Sequence, residues 1–182
     1  DHPVIPALIK SYGYPEPRVR APGYETLLRT IVGQQVSVAA AASMWNKLEA
    51  TLGPGCTPDA LLAQDFDTLR ACGLSRQKQG YARSLAELVT SGALDLYSLP
   101  DDDEEAIASL VQIKGIGRWS AEIYLLFAEG RKDIWPAGDL AVQISVGHIL
   151  GLPVRPSEKQ VRDIGEAWRP HRSAMALMAW HR

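Results

Sequence analysis

Cysteine is nearly absent from this chain: Cys56 and Cys72 are the two among 182 residues. Two thiols cannot build a disulfide framework or a four-thiolate cluster. No apolar run approaches the roughly 20 residues that cross a bilayer, so nothing signals a membrane span. No alternating apolar–polar stretch reaches the length of a strand; Ile134-Trp135 is too short to count. Fixed-period repeats and low-complexity tracts are also missing. No signal peptide opens the chain, and Asp1 reads as a trimmed start. A basic surplus is lacking too: 19 Lys and Arg face 21 Asp and Glu, a net charge of −2. Taken alone, that balance argues against a nucleic-acid partner.

What is present is helical spacing. Apolar residues recur at helical intervals over 3–12, 24–34 and 37–51. A loop with Gly13, Pro15, Pro17 and Pro22 separates the first two. Ser37, Asp65 and Ser75 are N-cap candidates. Thr57-Pro58-Asp59 is a helix start with proline at its first position. Gly53-Pro54-Gly55, Gly73 and Gly92 are stops. The acidic run Asp101 to Glu105 suits the positive end of a helix over 102–112. Further helices are expected over 118–129, 140–150, 157–167 and 170–180. About ten short helices with tight connections predict an all-α fold.

The densest signal is Val111-Gln112-Ile113-Lys114-Gly115-Ile116-Gly117-Arg118-Trp119-Ser120-Ala121. Two helices flank a turn with glycines at 115 and 117. Without a Cβ, glycine lets another backbone or a phosphate approach closely. The second helix starts there, with unpaired N–H groups and a positive dipole end that seat an anion. Lys114 and Arg118 bracket the turn. An ordinary turn between two helices fits the same glycine spacing.

Downstream, Trp135-Pro136-Ala137-Gly138-Asp139-Leu140 ends in a carboxylate at a helix start. Asp139 is a natural N-cap. The role is compatible with chemistry: a carboxylate in a cleft beside a DNA-binding hairpin stabilises positive charge developing on a sugar.

A glycine-rich hairpin, then a Gly/Pro loop and an Asp, resembles the helix-hairpin-helix DNA glycosylase superfamily. Arg118-Trp119-Ser120-Ala121 narrows the likeness to the DNA-3-methyladenine glycosylase II group. Residues 28–41 (LRTIVGQQVSVAAA), 69–81 (LRACGLSRQKQGY) and 168–180 resemble other stretches of that group. The likeness covers about Gly23 to Trp180.

The resemblance implies two helical lobes with the active cleft between them. Residues 23–131, with the hairpin at 111–121, form one lobe, and 1–22 with 132–182 the other. The chain is similar to a compact form without an N-terminal α/β domain. The implied activity is that of a monofunctional glycosylase. It flips alkylated bases, 3-methyladenine and 7-methylguanine, out of double-stranded DNA and hydrolyses their N-glycosidic bond in base excision repair.

Asp139 is the implied catalytic residue, and Trp119, Ile123 and Trp180 the implied base pocket. Some relatives carry an aromatic where Ile123 stands. Trp119 occupies the position of a Lys in strand-cutting members, and an indole forms no Schiff base, so AP lyase activity is not expected. Gln35 matches the residue that fills the gap left by the flipped base; a helix end satisfying its own hydrogen bonds is the other reading of Gln34-Gln35. Lys114, Gly115, Gly117, Arg118 and Ser120 are the implied DNA contacts. Arg76, Lys78, Arg169, Arg172 and His171 join them if they share a face, and are otherwise solvated surface groups. Main-chain carbonyls of Val111, Ile113 and Ile116 match the donors of a structural Na or K ion in relatives. No other cofactor is expected, and the missing C-terminal cysteines exclude the iron–sulfur branch. A monomer suffices, located inside the cell with the DNA and away from membranes.

Three other readings remain open: excision of different purine lesions such as ethenoadenine or hypoxanthine, a non-catalytic helix-hairpin-helix DNA-binding module, and a purely structural helical protein in which the hairpin glycines and Asp139 are unlinked. Trp45 and Trp168 are expected in the core, and both cysteines as inert thiols. Net charge no longer weighs against DNA, since backbone N–H groups and a helix dipole do not enter it.

Overall fold

Side-chain caps set most helix starts. Ser37, Thr57, Asp65, Ser75, Asp102, Asp139 and Ser157 each accept a hydrogen bond from the backbone N–H three residues on. Such caps satisfy donors that a helix leaves orphaned at its N-terminus. The computed structural model describes residues 4–16 and 19–181; Asp1, Pro3 and Pro17 lie outside them. The helices are α1 (Val4–Tyr12), α2 (Tyr24–Gly33), α3 (Val38–Leu52), α4 (Pro58–Leu62), α5 (Phe66–Ala71), α6 (Arg76–Thr90), α7 (Asp103–Leu110), α8 (Arg118–Phe127), α9 (Leu140–Ile149), α10 (Glu158–Gly165) and α11 (Arg172–His181). Among the described residues there is no strand, and the all-α expectation holds.

The chain divides into two units, Arg20–Tyr124 and Asp1–Val19 with Leu125–Arg182. In the first, α6 packs on α2 and α4. Leu27, Leu28, Ile31, Leu48, Leu61, Leu85 and Leu110 are completely buried there. Each contributes about 1.5–3 kcal/mol relative to exposure. Trp45 is in this core, with the Arg29 guanidinium 3.9 Å above its ring. The two cysteines are buried and free. Burial, then the Glu49 carboxylate, pushes the Cys56 thiol up to about 11. It is therefore a protonated, unreactive thiol at neutral pH.

In the second unit α9 packs on α11. The Trp135 and Trp168 rings meet edge to face, centroids 5.2 Å apart. α11 starts two residues later than expected, where a segment distant in sequence supplies its cap. The first N–H groups of α11 find acceptors in the segment before the Asp139 loop: Arg172 N donates to Asp133 Oδ1 (3.2 Å) and Ser173 N to Lys132 O (3.0 Å). Arg172 corrects its reading as a surface cation. It is only 8% exposed. Its Nε donates to Asp133 Oδ1 at 2.8 Å and its Nη2 to Asp133 O at 2.8 Å. Arg169 reaches the same carboxylate at 2.7 Å.

Burial alone would raise the Asp133 carboxyl, but the hydrogen bonds and charge of Arg172, with the charge of Arg169, outweigh it and hold it below the usual range. A depressed carboxyl contributes stability that is complete above its unfolded value of about 3.9 and fades as pH falls through the folded value. Asp133→Asn should therefore cost about 2–4 kcal/mol at neutral pH, because it takes the closer of two counter-charges from the buried Arg172 and leaves it only the more exposed Glu166. Urea unfolding should show the gap between parent and variant shrinking as pH is lowered below about 4.

Candidate nucleic-acid interface and acidic site

Helices α7 and α8 and the turn 111–117 form the expected hairpin. Its two glycines serve different ends. Gly115 has φ +83°, and a Cβ there would run into the Tyr81 ring of α6. Gly117 lacks a positive φ, and a Cβ on it would meet no atom of the described residues within 4 Å. One glycine thus permits internal packing, and the other leaves the start of α8 open. Ser84 of α6 accepts the Lys114 N–H at 3.1 Å, while the Lys114 side chain is exposed. Ile113 and Ile116 are buried, and the Ile113 carbonyl accepts the Ile116 N–H at 3.0 Å.

Arg118 is engaged within the protein. Its Nε donates to Glu122 at 2.9 Å and its Nη1 to Glu104 at 2.8 Å. The hydrogen bond to Glu104, chiefly, holds the guanidinium above its ordinary value. Glu122 is itself buried. Arg169 and Arg172 are likewise held by Asp133 and Glu166. Arg76 lies over the Phe66 ring, and His171 is exposed.

A groove of about 1220 Å³ lies within the Arg20–Tyr124 unit. Gln34, Gln35, Lys78, Tyr81, Gly115, Trp119 and Ser120 are on its walls. The structure therefore brings the hairpin glycine, Trp119 and Ser120 together with the α2–α3 turn. Gln35 is exposed at the tip of that turn with φ +55°. A non-glycine residue in the left-handed region costs about 1–2 kcal/mol and marks a candidate functional position. Val36 and Val38 follow it, on either side of the Ser37 cap, the latter 88% exposed. Sequence reasoning passed over these valines, although apolar residues beside a cap, off any helix stripe, are a readable sign. Tyr81 was missed as a groove residue because Gly115, which its ring meets, is distant in sequence; Lys78, read as a candidate DNA contact, donates its Nζ to Val32 O. Trp119 is 48% exposed, Ile123 is half-buried, and both lie on α8 at four-residue spacing.

The acidic site belongs to the other unit. Asp139 caps α9, and its Oδ1 accepts from Val142 N at 2.9 Å and from Trp180 Nε1 at 3.1 Å. Trp180 stacks on Phe127 at 5.6 Å between centroids. Its indole thus points its N–H at the carboxylate. The loop 135–139 is held along its length. Trp135 Nε1 donates to Val161 O at 2.8 Å, Gln143 Nε2 to Ala137 O at 2.9 Å, and Asp139 N to Pro136 O at 2.9 Å. Upstream, Ser173 Oγ accepts the Ile134 N–H and donates to Arg131 O. No group of three or more His, Cys, Asp or Glu among the described residues is placed to hold a metal ion.

An all-helical frame carries a hairpin with a sterically open helix start and a carboxylate fixed by two N–H donors, and it matches a class of base excision DNA repair proteins. The chain belongs to the HhH-GPD superfamily of base excision DNA repair proteins, whose pattern matches residues 28–170. It is 35% identical over 161 residues to DNA-3-methyladenine glycosylase 1 of Schizosaccharomyces pombe, covering 86% of this chain and 71% of that one. A structure of the 3-methyladenine DNA glycosylase of that yeast with abasic DNA superposes with a TM-score of 0.80 at 33% identity, covering 97% and 89% of the two chains. A DNA-3-methyladenine glycosidase of Bacillus halodurans superposes with a TM-score of 0.85 at 27% identity, over 99% and 88%.

The glycines separate stability from binding. Gly115→Ala should lower stability by about 2–3 kcal/mol, through its left-handed backbone and the Tyr81 ring. Gly117→Ala should stay within about 0.5 kcal/mol of the parent. The same Gly117→Ala should weaken duplex DNA binding about threefold to tenfold, read by fluorescence anisotropy, because a methyl group blocks phosphate approach.

Proposed function

We propose that this protein is a DNA glycosylase that removes alkylated bases, 3-methyladenine and 7-methylguanine, from double-stranded DNA. The observation that carries the reading is Asp139, whose Oδ1 is fixed by Val142 N–H and Trp180 N–H. The relatives named for 3-methyladenine excision support the substrate class. A protein acting on DNA works where the DNA is, inside the cell, and one flipped nucleotide requires only a monomer.

In this reading the damaged nucleotide leaves the stack. Gln35 takes the space it vacates, while the α8 N-terminus and the Lys114 side chain engage backbone phosphate near Gly115, Gly117 and Ser120. Main-chain carbonyls of Val111, Ile113 and Ile116 would hold a monovalent cation, which supplies positive charge to the phosphate side of the hairpin. An aromatic face is an attractive surface for a cationic base, which is the role assigned to Trp119 and to Trp180, with Ile123 as an apolar contact. The bond between C1′ and the base nitrogen breaks, and its electron pair leaves with the base. An alkylated purine already carries positive charge, so it departs neutral without an acid. The sugar becomes an oxocarbenium ion, which the Asp139 carboxylate stabilises. Water then adds to C1′ and gives a proton to Asp139. The indole of Trp119 offers no amine for a Schiff base, which supports hydrolysis without strand cutting. No cofactor enters these steps.

Asp139→Asn should abolish release of methylated bases from alkylated DNA, a loss of about a thousandfold or more, while duplex binding is retained. Equal release by both proteins would remove Asp139 from the mechanism; no release by the parent would favour a non-catalytic DNA-binding module. Borohydride should trap no protein–DNA adduct, and a trapped adduct overturns the monofunctional reading. Trp180→Phe keeps a ring against Phe127 and deletes the N–H. Single-turnover excision should slow about tenfold or more with little change in DNA affinity, whereas a purely apolar wall would tolerate the change.

A further inference from the structure

The α2–α3 turn and the hairpin turn are tied to each other by a side chain that the proposed chemistry does not use. Gln34 Nε2 donates to Gly115 O at 2.8 Å, across 81 positions of sequence. The Gln34 backbone N–H simultaneously caps α2 by donating to Ile31 O. Helix α6 supports both turns from beneath. Lys78 Nζ donates to Val32 O at 2.6 Å, one of the carbonyls that the end of a helix leaves without a partner. The Tyr81 ring lies against Gly115, and its hydroxyl accepts from Gln77 Nε2 at 2.7 Å. Gln35 therefore projects from a turn whose preceding residue is anchored at both backbone and side chain. Its own backbone sits in the left-handed region, a conformation that persists only when its surroundings impose it.

We propose that Gln34 is a positioning residue that locks the α2–α3 turn to the phosphate-binding hairpin, so that Gln35 enters the duplex in register with the bound phosphate. The inference rests on the glycosylase reading. The amide N–H sets the distance between the group that grips the backbone and the group that fills the gap. A wedge on an untethered turn would have to order itself on DNA, and that ordering costs free energy at each extrusion.

The test uses a duplex with a stable tetrahydrofuran abasic analogue and 2-aminopurine beside it, whose fluorescence rises on unstacking. Gln34→Leu keeps the bulk and deletes the donor; Gln34→Glu puts a carboxylate oxygen against the Gly115 carbonyl. Both should reduce the fluorescence rise about threefold to tenfold, with duplex affinity within about twofold of the parent. In a Gln35→Ala background the Gln34 substitutions should have no further effect, since a residue acting through another loses its effect with it. Undiminished unstacking by Gln34→Leu, additive losses in the double variant, or no response from the parent would each overturn the proposal. A parent that unstacks the reporter but frees no methylated base defeats the glycosylase reading and leaves the tether standing.

Discussion

Asp139 Oδ1 accepts two N–H groups, one from Val142 in the first turn of the helix it caps and one from Trp180 near the C-terminus. The rest of that unit depends on both being in place. Val142 is positioned by α9, whose buried Gln143 also holds the loop at Ala137. Trp180 is positioned by Phe127 and by α11, and α11 starts where Asp133 and Lys132 accept its first N–H groups. In the role proposed for Asp139, a carboxylate works best when its orientation is fixed beforehand. Here the fixing is done by a capping bond that any helix might use and an indole bond that few do.

The hairpin shows the complementary economy. Its backbone groups divide between those used internally and those left for a ligand. Lys114 N–H goes to Ser84, Ile116 N–H to Ile113 O, and Gly115 O receives Gln34. The start of α8 at Gly117 stays sterically open. A turn satisfied on its inner side keeps its shape when it is grasped on the outer side.

Much of this was legible in the sequence because the decisive features are local. Ser37, Thr57, Asp65 and Ser75 announce their helices by capping chemistry, and the structure uses each as read. The hairpin and the Asp139 loop are contiguous motifs. The fates of the arginines were not legible. Arg172 looks like any surface cation until Asp133, 39 positions away, is beside it. Arg118, adjacent to the hairpin, invites a phosphate until Glu104 and Glu122 are seen to hold it. Gln34 and Gln35 are neighbours of one residue type, yet one is bound to the hairpin and the other is exposed, a difference set entirely by tertiary contacts.

The pairing of arginine with carboxylate extends beyond the two residues just named. Arg29, Arg131, Arg162 and Arg169 also have carboxylate partners at hydrogen-bonding distance. Cations committed in this way displace few counterions from a duplex, so binding by such a surface responds weakly to ionic strength. The glycosylase proposed above would then tell nucleotides apart after contact, at the single site where the stack opens.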